Sequence, residues 1–72
     1  MLNFSEIIQL KQELAERYQT ELHYHDVCPK PFFTMEQTSG DIQDYISGFL
    51  QKRHYAPCFS DDGLQFTIKR SL

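Results

Sequence analysis

The chain reads as an α+β domain of order α-β-β-α-β-β. It is a two-layer sandwich in which a four-stranded antiparallel sheet carries both helices on one face. Three observations predict it. Two segments place apolar residues three and four apart, the spacing of an amphipathic helix. Each is followed by two short strand-like runs joined by turn residues. The two halves also resemble each other, so a helix–hairpin unit occurs twice.

The first helix is expected from Ser5 to about Tyr18, with Phe4, Ile7, Leu10, Leu14 and Tyr18 on the core face and Glu6, Gln9, Glu13 and Glu16 between them. Asn3 or Ser5 caps its start, and Asn3-x-x-Glu6 has the form of a capping box. Leu22–Val27 and Phe32–Glu36 follow as strands around Cys28-Pro29-Lys30-Pro31. Two prolines in that stretch fix φ and remove N–H donors, which makes it a loop. Thr38 or Ser39 caps the second helix, Asp41 to about Arg53, with Ile42, Tyr45, Ile46, Phe49 and Leu50 on one face. Cys58–Asp61 and Leu64–Lys69 then pair through Asp62-Gly63, a dipeptide suited to the two positive φ angles of a type I′ turn.

At an offset of 35 residues Ile7 falls on Ile42, Leu10 on Tyr45 and Leu14 on Phe49, while His23-Tyr24-His25-Asp26 falls on Cys58-Phe59-Ser60-Asp61. Closing the hairpin two residues tighter lays Phe33-Thr34-Met35 on Phe66-Thr67-Ile68. The halves, about 3–36 and 38–70, make one domain spanning 1–72 with a pseudo-twofold repeat. Strand alternation assigns the faces. Phe59, Leu64, Phe66 and Ile68 point to the core, and Cys58, Ser60, Gln65, Thr67 and Lys69 point away. In the first hairpin a four-residue loop would set Tyr24 against Met35 on the core side. His25 would then oppose Thr34 and His23 oppose Glu36 on the outer side, with Val27 beside Phe32.

Composition narrows function. The 72 residues are 40% hydrophobic, 24% charged and 14% aromatic, which suits one small globular domain and not a disordered tail. A chain this short keeps only about 3–5 kcal/mol from a single core, and has little room for an enclosed pocket. No apolar run approaches membrane-spanning length. The N-terminus lacks a basic region, a continuous apolar run and a small-residue cleavage site, so a secretory signal is not expected. Net charge is −3, with three basic and six acidic groups in 1–36 and four of each in 37–72. The only basic pairs, Lys52-Arg53 and Lys69-Arg70, are expected as solvated ends of elements, so nucleic acid is not an expected partner. Cys28 and Cys58 read as reduced thiols of a cytosolic protein, with a single bridge in an exported protein as the alternative.

His23-x-His25 is the sharpest ligand-like pattern, because alternate strand residues point the same way. If the hairpins meet through their first strands, Cys58 joins them. His, His and Cys suit a tetrahedral zinc ion, with Glu36 or Ser60 completing the shell. The plainer reading is exposed strand histidines, one paired with Glu36. Asp26-Val27-Cys28 is not an activated thiol, since a neighbouring carboxylate raises a thiol pKa. Asp26 instead suits an Asx turn onto the Cys28 N–H. Most aromatics fit the core, leaving Phe32 and Tyr55 for the outside. With three glycines, no phosphate-cradling loop is present, and no catalytic set emerges.

His25-Asp26-Val27-Cys28, followed by Phe32-Phe33-Thr34-Met35-Glu36, resembles the RDAC family of small bacterial proteins, named for an Arg-Asp-Ala-Cys stretch ending a strand. His25 stands in place of the Arg and Val27 of the Ala, and Pro29-Lys30-Pro31 stands where that family tends to have glycine. The resemblance implies a small bacterial cytosolic protein and singles out Asp26 and Cys28 without a role. The sequence therefore points to a non-enzymatic interaction or regulatory module, a homodimer through the open sheet face or a sheet edge. Val27, Phe32, Thr34, Ser60, Gln65 and Thr67 form the expected interaction face, with self or another protein as partner and no cofactor. The alternative is a metal- or thiol-dependent site on His23, His25 and Cys58, with zinc as its ion.

Overall fold

In the computed structural model, which describes residues 2–27 and 29–70, the order is α1 (Phe4–Tyr18), β1 (Leu22–His25), β2 (Phe32–Met35), α2 (Gly40–Gln51), β3 (Tyr55–Phe59) and β4 (Gln65–Arg70). Asn3 closes the expected capping box. Its side chain accepts the Glu6 N–H at 2.8 Å, and the Glu6 carboxylate accepts the Asn3 N–H at 3.0 Å. Ser39, not Thr38, caps α2 by accepting the Ile42 N–H at 3.2 Å. Both helices lie on one face of a single antiparallel sheet of order β1-β2-β4-β3. α1 packs on β1, and α2 on β3.

The hairpins therefore join through their second strands, leaving β1 and β3 as the two edges. At the join Phe33 pairs with Phe66, and their rings stack at 4.8 Å and 8°. These are equivalent positions of the two halves. Equivalent residues can face each other across an antiparallel pair only where a local twofold axis passes between them. The helix offset of 35 residues has its own signature: Gln19 and His54 are the only non-glycine residues with positive φ among those described, at 53° and 66°. Each turns the chain from the end of its helix toward the strand that follows.

Leu10, Leu14, Leu22, Phe33, Ile46, Leu50 and Phe66 are fully buried between the layers. Thr20, the one buried polar residue described, donates to the Tyr18 carbonyl at 3.3 Å and accepts from Gln37 Nε2 at 3.2 Å. Phe4, expected in the core, is 72% exposed. It starts the helix on the flank away from α2, one stripe round from Ile7. Arg53, expected to be solvated, is half-buried. It donates to Glu6 at 2.8 Å and to the Phe49 carbonyl at 2.9 Å, with its guanidinium 3.8 Å above the Phe49 ring. Together with Tyr45, whose hydroxyl donates to Glu13 at 3.0 Å, it ties the helices to each other.

The face parity is as expected, but three strand details differ. In the first hairpin the partners are Leu22–Met35, His23–Thr34, Tyr24–Phe33 and His25–Phe32, two residues from the expected register. A shift of two preserves the faces. It pairs Leu22 with Met35 in the core and ends β1 at His25, so the loop begins at Asp26. β3 starts at Tyr55 and ends at Phe59 instead of running from Cys58 to Asp61, so Tyr55 packs against the core. In the second turn Phe59 pairs with Phe66 as expected, yet only Gly63 of the Asp62-Gly63 pair takes positive φ, 73°. The expected type I′ turn is replaced by a wider loop. The Gly63 N–H donates to the Ser60 carbonyl at 3.0 Å, and the Asp62 carboxylate accepts from the Leu64 N–H at 2.9 Å and the Ser60 hydroxyl at 2.7 Å. A Cβ on Gly63 would collide with the Gln43 side chain, so this turn sits directly on α2.

Candidate functional site

Backbone direction along β1 follows from one bond. The Met35 N–H donates to the Leu64 carbonyl at 2.8 Å, toward β4. Peptide groups alternate sides along a strand, so those of Phe32 and Thr34 face β1. Their partners His25 and His23 accordingly turn their backbone groups inward to β2. The N–H and C=O groups of Leu22 and Tyr24 then point out of the sheet at its open edge. The same alternation on the other side turns Pro57 outward from β3. There a missing N–H interrupts the second edge at its middle. Leu22 and Pro57 are equivalent positions of the two halves, so the repeat is asymmetric where it meets solvent.

Above the open edge lies one flank of α1. Helical spacing groups Phe4, Ile8, Lys11 and Ala15 in one exposed stripe, while Glu13 and Arg17 on the other flank reach Tyr45 of α2. Phe4 and Ile8 are two of the three large apolar residues left exposed among those described. A shallow hollow lined by Lys11, Ala15, Gln19, Thr20, Glu21 and Leu22 joins this flank to the start of β1.

The expected histidine–cysteine set is not assembled. His23 and His25 lie on β1 and Cys58 on β3, the opposite edge, three strand spacings or about 14 Å away. Cys58 is a free, exposed thiol. Cys28, and with it the expected turn from Asp26, lies outside the described residues. His25 is occupied on its own face: it stacks on Phe32 at 4.6 Å and 12°, and its Nε2 is 2.9 Å from the Thr34 hydroxyl. His23 Nε2 lies 3.9 Å from Glu36 Oε1. The group that does form is Glu21, His23 and Glu36, whose ligand atoms all lie within 4.8 Å of one another. Sequence pattern alone does not single out Glu21. Its signal was the spacing Glu21-x-His23, two residues apart on one strand face.

The residues of the expected interaction face fall as follows. Val27 is 48% exposed in the loop after β1, and Phe32 and Thr34 are half-buried under their contacts with His25. Ser60 accepts the Gln65 N–H at 3.2 Å within the second turn. Gln65 is exposed and Thr67 half-buried on β4. Among the described residues no helix packs over this side, but it is chiefly polar, and Phe32 with the His25 ring is its main apolar element. No helix among the described residues is long and apolar enough to cross a membrane.

Three groups away from the edge are held by specific partners. Arg17 first and Tyr45 second hold Glu13 below its ordinary pKa. Burial, then the bond to Glu13, raises the Tyr45 hydroxyl. The Leu64 N–H and then the Ser60 hydroxyl lower Asp62. The bonds around Glu13 and Tyr45 fasten α1 to α2 at the wall of a shallow hollow that Phe49, Lys52 and Arg53 also line, and those of Asp62 hold the second turn. Comparison of the chain with protein-family models, curated proteins and solved structures finds no match.

Proposed function

We propose that this protein is a non-enzymatic interaction module that self-associates through the β1 edge and the α1 flank above it. The observation that carries the reading is the asymmetry between the two edges. β3 is blunted by Pro57, whereas β1 contains no proline, lysine or arginine and turns the backbone of Leu22 and Tyr24 outward. Uncapped edges of this kind are templates for pairing with another strand.

A second copy is the occupant the edge fits best. In an antiparallel pair with its twofold axis at His23, Leu22 of each chain exchanges both backbone bonds with the partner's Tyr24. That makes four bonds within a four-residue strand. Glu21 then stands opposite the partner's His25, a complementary pair. The helices agree with this geometry. Two helices cover four strands, one for every ~9.6 Å of sheet, which is a normal interhelical distance. A continuous eight-stranded sheet repeats that spacing and brings α1 beside the partner's α1, covering Phe4 and Ile8. A standard interface takes about 800 Å² from each partner. On a molecule of 28 × 23 × 22 Å that needs most of one side, so strand and helix flank must both contribute.

Sedimentation equilibrium tests this. Wild-type protein is expected to give the dimer mass, and Phe4→Ser with Ile8→Lys, two exposed sites, is expected to give a folded monomer. A wild-type chain that stays monomeric at high micromolar concentration overturns the reading.

A further inference from the structure

We propose that Glu21, His23 and Glu36 bind a divalent transition-metal ion, zinc by the chemistry of the donors. Strand alternation puts Glu21 and His23 on one face. Continuing the β1–β2 register by one residue sets Glu21 directly opposite Glu36. Like charges facing each other across a sheet are destabilising. Among the described residues, the only ion-pair partner of either carboxylate is His23 itself, 3.9 Å from Glu36. A cation between the three groups offsets that repulsion directly.

The three ligand atoms already lie within 4.8 Å of one another. Zinc needs them about 2.0–2.2 Å from its centre. Both glutamate side chains are exposed and can turn toward a shared ion. One imidazole nitrogen with two carboxylates is a donor set of the three-ligand zinc type, with one position left open. The nitrogen donor disfavours calcium and magnesium, which take oxygen ligands. The site needs only one chain, but its coupling to association rests on the self-association proposed above. There the partner's His25 stands opposite Glu21, and its Nδ1, the nitrogen not bonded to Thr34, fills the open position, so zinc tightens the dimer.

Zinc titration by calorimetry, with native mass spectrometry of the same samples, tests both parts. One zinc per chain is expected, with a dimer dissociation constant at least about tenfold lower in zinc than in chelator. Losing even an outer-shell partner costs a metal site ~10–100-fold in affinity, so His23→Ala and Glu36→Gln are each expected to weaken binding at least tenfold. Cys28→Ser with Cys58→Ser is expected to leave it unchanged. Zinc binding that survives His23→Ala, or that vanishes with the two cysteines, overturns the site. A dimer that binds no zinc also overturns the site and leaves self-association standing. One zinc per chain on a mass that stays monomeric upholds the site and overturns self-association and its coupling to zinc.

Discussion

At the scale of single residues, Phe66 and Phe32 measure the two sides of the sheet. Phe66 is 1% exposed and stacks on Phe33 at the twofold join. Truncating a buried phenylalanine costs about 3–5 kcal/mol, which is all that a core of this size supplies. Phe66→Ala is therefore expected to unfold the chain, while Phe32→Lys, on the outer side, keeps a cooperative melt by circular dichroism. A melt that survives Phe66→Ala and is lost in Phe32→Lys means the sheet faces are reversed. Asp62 makes a second residue-scale prediction. The Leu64 N–H and the Ser60 hydroxyl depress its pKa in the folded state. A depressed carboxylate adds stability above its unfolded pKa of ~3.9 and loses it as pH falls through the folded value. Urea melts of Asp62→Ala are accordingly expected to fall less steeply with acid below about pH 4 than wild type. Parallel profiles would show that the turn bonds add nothing to folding.

Among the elements, the helix–strand junctions carry strain that the sequence hid. Gln19 gives no local sign of a left-handed conformation and His54 only a weak one, histidine being enriched there, yet both adopt it, at equivalent positions of the repeat. That conformation costs a non-glycine residue roughly 1–2 kcal/mol, and glycine returns part of the gain through its freer unfolded state. Gln19→Gly and His54→Gly are each expected to stabilise by several tenths to about 1 kcal/mol in chemical denaturation, and a loss at both sites would refute the strain. The elements themselves were legible because their signals are local: apolar spacing for the helices, Asn3-x-x-Glu6 for a cap, alternation for the faces. Registers and strand order were not. A two-residue slip in the first hairpin leaves every side chain on its own face, so the hydrophobic pattern cannot distinguish the two pairings. Which strands meet depends on packing between the halves, where Phe33 and Phe66 stack. Cys58 consequently lies across the sheet from His23 and His25, and the place of Glu21 opposite Glu36 is one that only the register of β1 with β2 reveals.

For the whole molecule, the repeat explains why one edge matters. Two equivalent helix–hairpin units build a symmetric core, but Leu22 and Pro57 make their outer edges unlike. An edge that pairs with its own copy about a twofold axis closes after two chains. Were both edges open, β1 of one chain could also meet β3 of the next, or β3 another β3, and growth would have no end. In the self-association proposed above, Pro57 is what prevents this, because its ring occupies the one mid-strand position whose N–H would face outward. Its replacement should cost the fold little, since that nitrogen makes no ladder bond to β4. Pro57→Val restores the donor and adds a β-branched side chain suited to a strand. The expected outcome is a monomer fold unchanged by circular dichroism, with species larger than a dimer appearing in light scattering and growing with concentration. Combining it with Phe4→Ser and Ile8→Lys removes association through β1 and leaves only β3–β3 pairing, which stops at two. If Pro57→Val remains as small as wild type, β3 is kept apart by something other than its proline, and the edge asymmetry no longer supports the proposed assembly through β1.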